Sequence, residues 1–228
     1  MKKIIFLFLI SINISAELVL EITESSDNPY RIAIHSFDGQ NSISQKISQI
    51  IKADLLRTGE FSVLGSDELL SEESYQDQIN YRNYRLLGVD YILKGKVNSE
   101  DKMNITVSYD IFDSIKEKKI RSSKIFGIPN KTRQLAHYVS DGIYEEITGL
   151  QGVASTKMLY VSEDNDGTSK VYRLMLADAD GMNEQTLLKS NSAIISPSWS
   201  PDSKDISYVS FETGYCVSTH WSGLRQGG

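Results

Sequence analysis

The side chains able to do chemistry are few. His35, His137 and His220 are the only histidines and Cys216 the only cysteine among 228 residues. A histidine can serve a hydroxyl or thiol nucleophile as general base, or ligate a metal. Both roles need partners within hydrogen-bond or coordination reach. These residues are widely scattered, and no G-x-S-x-G nucleophile elbow occurs. No nucleophile–base pair can be assembled from the sequence. An independent enzyme is disfavoured, and no catalytic residue, metal ligand or cofactor is assigned.

Two acidic turns, Glu163 to Gly167 and Asp178 to Gly181, invite a calcium reading. An EF-hand loop needs an acid at its first position, glycine at the sixth and glutamate at the twelfth. Setting Gly167 sixth puts Ser162 and Arg173 at the ends; setting Gly181 sixth puts Leu176 and Leu187 there. Both frames fail, which leaves hairpin turns.

The chain that positions these residues opens with an address. Lys2 and Lys3 precede an apolar run from Ile4 to Ile14, and Ser15-Ala16 offers a cut before Glu17. The run is too short for the roughly 18–20 residues of a membrane span, so residues 1–16 read as a secretory signal peptide. No second apolar segment follows, so no transmembrane segment is expected after cleavage. The formal net charge of −6 becomes more negative still once the two lysines leave. Nucleic acid is then a poor ligand, because phosphate binding calls for a basic face. One cysteine cannot form an internal disulfide, which suits a periplasmic protein folding without disulfides.

Arg31 to Phe37 reads as a strand, followed by a helix capped at Asn41 or Ser42. Ile43, Ile47, Ile50, Ile51 and Leu55 give that helix one apolar face, and Gly59 ends it. Phe61 to Leu64 is a strand, Ser66 to Asn80 a polar loop or solvated helix start, and Tyr81 to Leu87 a short helix. Tyr91 to Val97 is the next strand. Met103, Ile105, Val107, Tyr109 and Ile111 alternate with polar residues as in a half-buried antiparallel strand, and Ile120 to Ile125 returns. A third helix runs from after Asn130 to about Thr148. This order implies a mixed sheet with packed helices, an α/β sandwich, over residues 17–152.

Residues 153–214 change character. Lys157 to Ser162, Lys170 to Ala177 and Gln185 to Leu188 read as strands. Ser196-Pro197-Ser198-Trp199 sets a turn that pushes Trp199 inward, Pro201-Asp202-Ser203 turns again, and Ile206 to Phe211 is a strand. Tyr160-Val161-Ser162 reappears as Tyr208-Val209-Ser210 about 48 residues on, near the roughly 40–50 residues of a propeller repeat. This predicts an incomplete all-β propeller of about one blade. Residues 215–228 supply no convincing further strand; they read as an aberrant tail, with the frame disrupted or the chain truncated near Gly214.

Several motifs carry a family resemblance. His137-x-x-Ser140-Asp141-x-Ile143-Tyr144-Glu145-x-Ile147-Thr148-Gly149-Leu150-x-Gly152 resembles the end of the amino-terminal domain of the TolB family, periplasmic proteins of the Tol-Pal system. Ala53-Asp54-Leu55-Leu56-Arg57-x-Gly59-x-Phe61, Leu87-Gly88-Val89-Asp90-Tyr91, the leader and the serine–proline–tryptophan turn are similar to that family too. Within these motifs, Asp141 and Glu145 read as solvated helix carboxylates and His137 as a packing or capping residue. The resemblance implies an α/β domain like an anticodon-binding domain, followed by a six-bladed propeller without enzymatic activity. It also implies a monomer linking TolA to the peptidoglycan-associated lipoprotein Pal. That link supports outer-membrane integrity and constriction at division, and colicins exploit it. The family's TolA-binding stretch is the mature amino-terminal segment, a place held here by Glu17, Leu18, Val19, Leu20, Glu21, Ile22 and Thr23. The Pal surface lies on the propeller, so Pal binding is expected to be impaired in this copy.

The alternative reading is the front end of a secreted propeller-containing serine peptidase whose catalytic domain lies beyond Gly228. A nucleotide- or RNA-binding module is opposed by the acidic balance and the lack of a glycine-rich phosphate loop.

Overall fold

The computed structural model describes residues 28–39, 41–71, 73–99, 103–165, 167, 169–212 and 217–221. Alternating apolar residues build a mixed sheet in the order β3-β1-β4-β5-β6 from Tyr30–Ile34 (β1), Phe61–Leu64 (β3), Tyr91–Ser99 (β4), Ile105–Asp113 (β5) and Lys118–Gly127 (β6). The short β2, Asp38–Gly39, pairs with β4 in parallel. The pairs β1–β3 and β1–β4 are parallel, whereas β4–β5 and β5–β6 are antiparallel.

One sheet face is covered by α1 (Asn41–Arg57) and α3 (Thr132–Thr148). Ile47, Ile51 and Leu55 of α1 meet Leu135, Val139 and Ile143 of α3 and Ile105, Val107, Tyr109 and Ile111 of β5, all buried. The three- and four-residue spacing of the helical set and the two-residue spacing of the strand set are what bring them together. Met103, expected to begin β5, is exposed, and the strand starts at Ile105. The other face is closed by α2 (Tyr81–Leu86), where Tyr84 packs with Ala33, Leu64, Val89 and Ile92. Gly149 ends α3 at φ +75°, a left-handed position that glycine takes without a Cβ penalty.

Two three-stranded antiparallel sheets follow. Lys157–Asn165 (β7), Lys170–Asp178 (β8) and Gln185–Ser190 (β9) form the first; Ile194–Trp199 (β10), Ile206–Ser210 (β11) and Val217–Trp221 (β12) form the second. Leu174, Ile194, Ile206 and Tyr208 are buried between them, with Leu159, Val161 and Trp199 packed alongside. Among the described residues this is propeller-type sheet stacking without a closed ring.

Two sequence expectations change here. Ser196 and Pro197 do not make a turn: β10 runs through them, with Ser196 at φ +52° and the pairing to β11 shifted between Ile195 and Ser198. Proline has no N–H to offer the ladder, so a bulge carries the strand past it. The region after Gly214, expected to lack a strand, contributes β12, paired along the whole of β11 from Ile206–Trp221 to Ser210–Val217. Serine, threonine and histidine hide its alternation, and pairing to β11 overrides that weak pattern.

Candidate functional site

A cluster of buried polar side chains lies where the α/β domain meets the propeller strands. Asp54 falls seven residues after Ile47 and four after Ile50, so the helical period carries it onto the buried stripe of α1. His137 and Ser140 sit one turn apart on α3. His137 Nδ1 lies 2.7 Å from Asp54 Oδ2, and the Ser140 hydroxyl donates to the same oxygen at 2.8 Å. Arg57 reaches the other oxygen, Oδ1, at 3.2 Å.

The end of β8 and the turn after it bring Asp178 and Asp180 to the same place. Arg133 of α3 pairs with Asp180 and lies 3.5 Å from Asp178. Arg57 is 3.8 Å from Asp180. Lys157 of β7 pairs with Asp178, and the Asn183 amide donates to it at 2.6 Å. Burial pulls the Asp178 carboxyl upward, but the Lys157 and Asn183 bonds and the Lys157 and His137 fields outweigh it and hold it below the ordinary carboxylate range.

Donor atoms of Asp54, His137 and Asp180 lie within 4.8 Å of one another. Arg57 and Arg133 already face the two carboxylates, so a divalent ion would have to displace a guanidinium. The arrangement is a charge-compensated junction rather than a cation site.

The chain crossing from one part to the other is tied down as well. Asp141, expected to be a solvated carboxylate, is half-buried and accepts the backbone N–H groups of Ala154 at 2.7 Å and Ser155 at 3.0 Å. The turn of chain after Gly149 brings those amides back over α3, which the helical pattern alone does not reveal. Glu145 is exposed, as expected. A cleft of about 300 Å³ opens beside Asp141, lined by Leu55, Thr58, Tyr144, Gly152, Val153 and Ala179.

His35 is not brought to His137. His35 is buried under the Ser66–Asn80 loop, accepting the Glu73 backbone N–H at 3.2 Å and bonding Tyr84 Oη at 2.6 Å. His220 belongs to β12. Cys216 and the segment Glu17 to Thr23 lie outside the described residues. Gly167 and Gly181 have φ of +86° and +80°, and Gly181 N–H closes on Asp178 O, as in a hairpin turn. Two buried charges escaped the sequence reading: Lys94 of β4 donates to Asp77 O at 2.8 Å and lies 3.6 Å from Glu73 Oε2.

Set against known proteins, residues 18–120 match the model of the TolB amino-terminal domain and residues 144–218 that of the TolB beta propeller domain. The chain belongs to the TolB family. The Tol-Pal system protein TolB of Alcanivorax borkumensis is 38% identical over 201 residues, 88% of this chain and 46% of that protein. That of Hydrogenovibrio crunogenus is 38% identical over 223 residues, 94% of this chain and 52% of that protein. The crystal structure of TolB from Acinetobacter baumannii superposes with a TM-score of 0.80 at 31% identity, over 91% of this chain and 50% of that one. The chain thus spans about half the length of the TolB relatives it matches. No helix among the described residues is long and apolar enough to cross a membrane.

Proposed function

We propose that this chain is a non-enzymatic interaction component of the Tol-Pal system, working in the periplasm after signal cleavage near Glu17. In this reading residues 17–152 form the α/β domain and the strands from about residue 153 belong to the propeller. The segment Glu17 to Thr23 engages TolA, and the propeller strands face Pal. The protein thereby joins inner-membrane machinery to the peptidoglycan-associated lipoprotein and supports envelope constriction.

The observation that carries the reading is the likeness to Acinetobacter baumannii TolB over 91% of the chain, a stretch that includes both the α/β domain and the propeller strands. The chemistry of the junction fits it. Each carboxylate there is answered by arginine, lysine, histidine or a hydroxyl, and such a network positions two bodies rather than a substrate. The test is a pull-down of the mature chain with TolA and, separately, with Pal. Deleting residues 17–23 should abolish TolA capture while circular dichroism stays unchanged; undiminished capture would remove the segment's role. Pal retained by the chain lacking residues 153–228 would remove the propeller strands from the Pal contact.

A further inference from the structure

We propose that the outer edge of β6 is a docking edge for an extended acidic segment of a partner protein, which joins the sheet as a further strand. The sheet order ends at β6, and among the described residues no strand pairs with its outer side. The strand is ten residues long, Lys118–Gly127, and after a bulge at Ile120 its register to β5 is unbroken from Arg121 to Gly127. Such an edge presents a row of unpaired main-chain N–H and C=O groups. Extended peptides are captured on edges of this kind: the main-chain bonds hold them, and alternate side chains select among them.

The edge is basic. β6 carries Lys118, Lys119, Arg121 and Lys124 and no acid. Asp110 answers Lys119 at 2.6 Å, and Glu146 answers Arg121 at 3.4 Å. Lys118 and Lys124 are exposed and have no ion-pair partner among the described residues. In a chain of net charge −6 this edge is a local exception.

Lysines alone serve to keep an edge from pairing. Two aromatic side chains argue for an occupant. Phe126 shares a sheet face with Lys124 and is 74% exposed. Tyr138 of α3 is 42% exposed on the other face. There Leu135 abuts Gly127 and Gly142 lies beside Arg121, so the helical period turns Tyr138 away from α1 and out over the free edge. An added strand would meet an aromatic ring on each of its faces, and such rings offer large apolar area to cover.

The same features select the occupant. Lys119, Ser122, Lys124 and Phe126 share one face, as do their β5 partners. Acids at alternate positions of the added strand therefore meet Lys119 and Lys124 across the pair. Glu145 and Glu146 line the α3 side, so that side takes apolar residues beside Tyr138 and Ile125. A second copy joined edge to edge would set basic against basic, which opposes it.

The test is titration of the mature chain with a capped peptide of alternating glutamate and valine, about eight residues long, an ordinary strand length. Anisotropy of the labelled peptide reports binding, and hydrogen exchange reports its place. Saturable binding with slowed exchange from Ser122 to Phe126 is expected. Lys124→Glu turns an exposed cross-strand attraction into repulsion and should weaken binding about three- to tenfold. It should leave TolA capture through residues 17–23 unchanged, so this proposal and the Tol-Pal reading fail separately. Methylating every second backbone nitrogen of the peptide blocks one strand edge at a time; one phase should abolish binding and the other spare it. No binding, equal binding by a lysine–valine peptide, or equal binding by both methylated phases overturns the proposal. Slow exchange of β6 without peptide overturns it too. If deleting residues 17–23 removes that protection, the edge belongs to this chain's own acidic segment; if protection rises with protein concentration, it belongs to a second copy.

Discussion

Asp54 on α1 and His137 on α3 stand 83 residues apart in sequence and meet at 2.7 Å beneath the propeller strands. The Ser140 hydroxyl shares the same carboxylate oxygen at 2.8 Å. Asp54→Ala would leave His137 Nδ1 without its acceptor in a buried site, whereas the Ser140 hydroxyl can still donate to Ala136 O at 3.0 Å. The expected loss is about 1–3 kcal/mol of unfolding free energy, from one unsatisfied buried polar group. Asp54→Asn keeps an acceptor oxygen and should lose less. Urea unfolding of the two variants, compared by midpoint at constant slope, checks the order; equal stability of Asp54→Ala and the parent would contradict it.

Lys94 and Glu73 form a second buried pair, on the opposite face of the sheet, holding the Ser66–Asn80 loop to β4. Lys94→Met removes the ammonium while keeping most of its volume, and it leaves Glu73 uncompensated. It should cost about 3–5 kcal/mol, whereas Lys94→Met with Glu73→Leu should recover much of that, since removing both charges also removes both desolvation costs. A double-mutant cycle by urea unfolding measures the recovery; additive losses would contradict the pairing.

Gly142 lies inside α3, where helix propensity favours alanine by about 1 kcal/mol. Packing decides the other way. A Cβ there would stand 2.2 Å from Tyr109 Oη, and Tyr109 is buried. Overpacking of this kind costs about 1–3 kcal/mol. Gly142→Ala should therefore lower the melting temperature, and Tyr109→Phe in the same chain should restore it by removing the clashing oxygen. A rise in melting temperature for Gly142→Ala alone would show that the sheet yields.

Acid should expose the hairpin between β5 and β6. Burial pulls the Asp113 carboxyl upward, but the backbone N–H groups of Lys116 at 2.8 Å and Ile115 at 3.0 Å, with the Lys116 ammonium, outweigh it. Its folded pKa is lowered, so its stabilisation is fully present above the ordinary carboxylate value of about 3.9. That stabilisation is lost as pH falls through the lower folded value. Asp178 follows the same sign at the junction. Stability measured from about pH 6 to pH 2 should fall less steeply for Asp113→Asn than for the parent chain; parallel curves would contradict the assignment.

Local patterns made much of the α/β domain legible. The isoleucine and leucine spacing of α1 and the alternation of β5 place those residues in the core with no knowledge of the rest of the fold. Asp54 could have been noticed as an acid on the apolar stripe of α1. Its partner could not, because only the packing of α1 on α3 brings His137 to it. Asp180 was less legible still, lying in a turn whose composition says hairpin and nothing about what the hairpin touches. Lys94 was hidden differently: in a strand otherwise rich in apolar residues a lysine reads as solvent-facing, until a loop folds over it. The β12 strand depends on its neighbour β11 for its form, so its own residues announce little.

The proposed Tol-Pal role turns on the segment Glu17 to Thr23. Calorimetric titration of the chain from Glu17 onward with TolA tests it most directly. Saturable one-to-one binding, lost when residues 17–23 are deleted from an otherwise folded chain, is the predicted result. No heat of binding from the intact chain, or binding unchanged by the deletion, would contradict it.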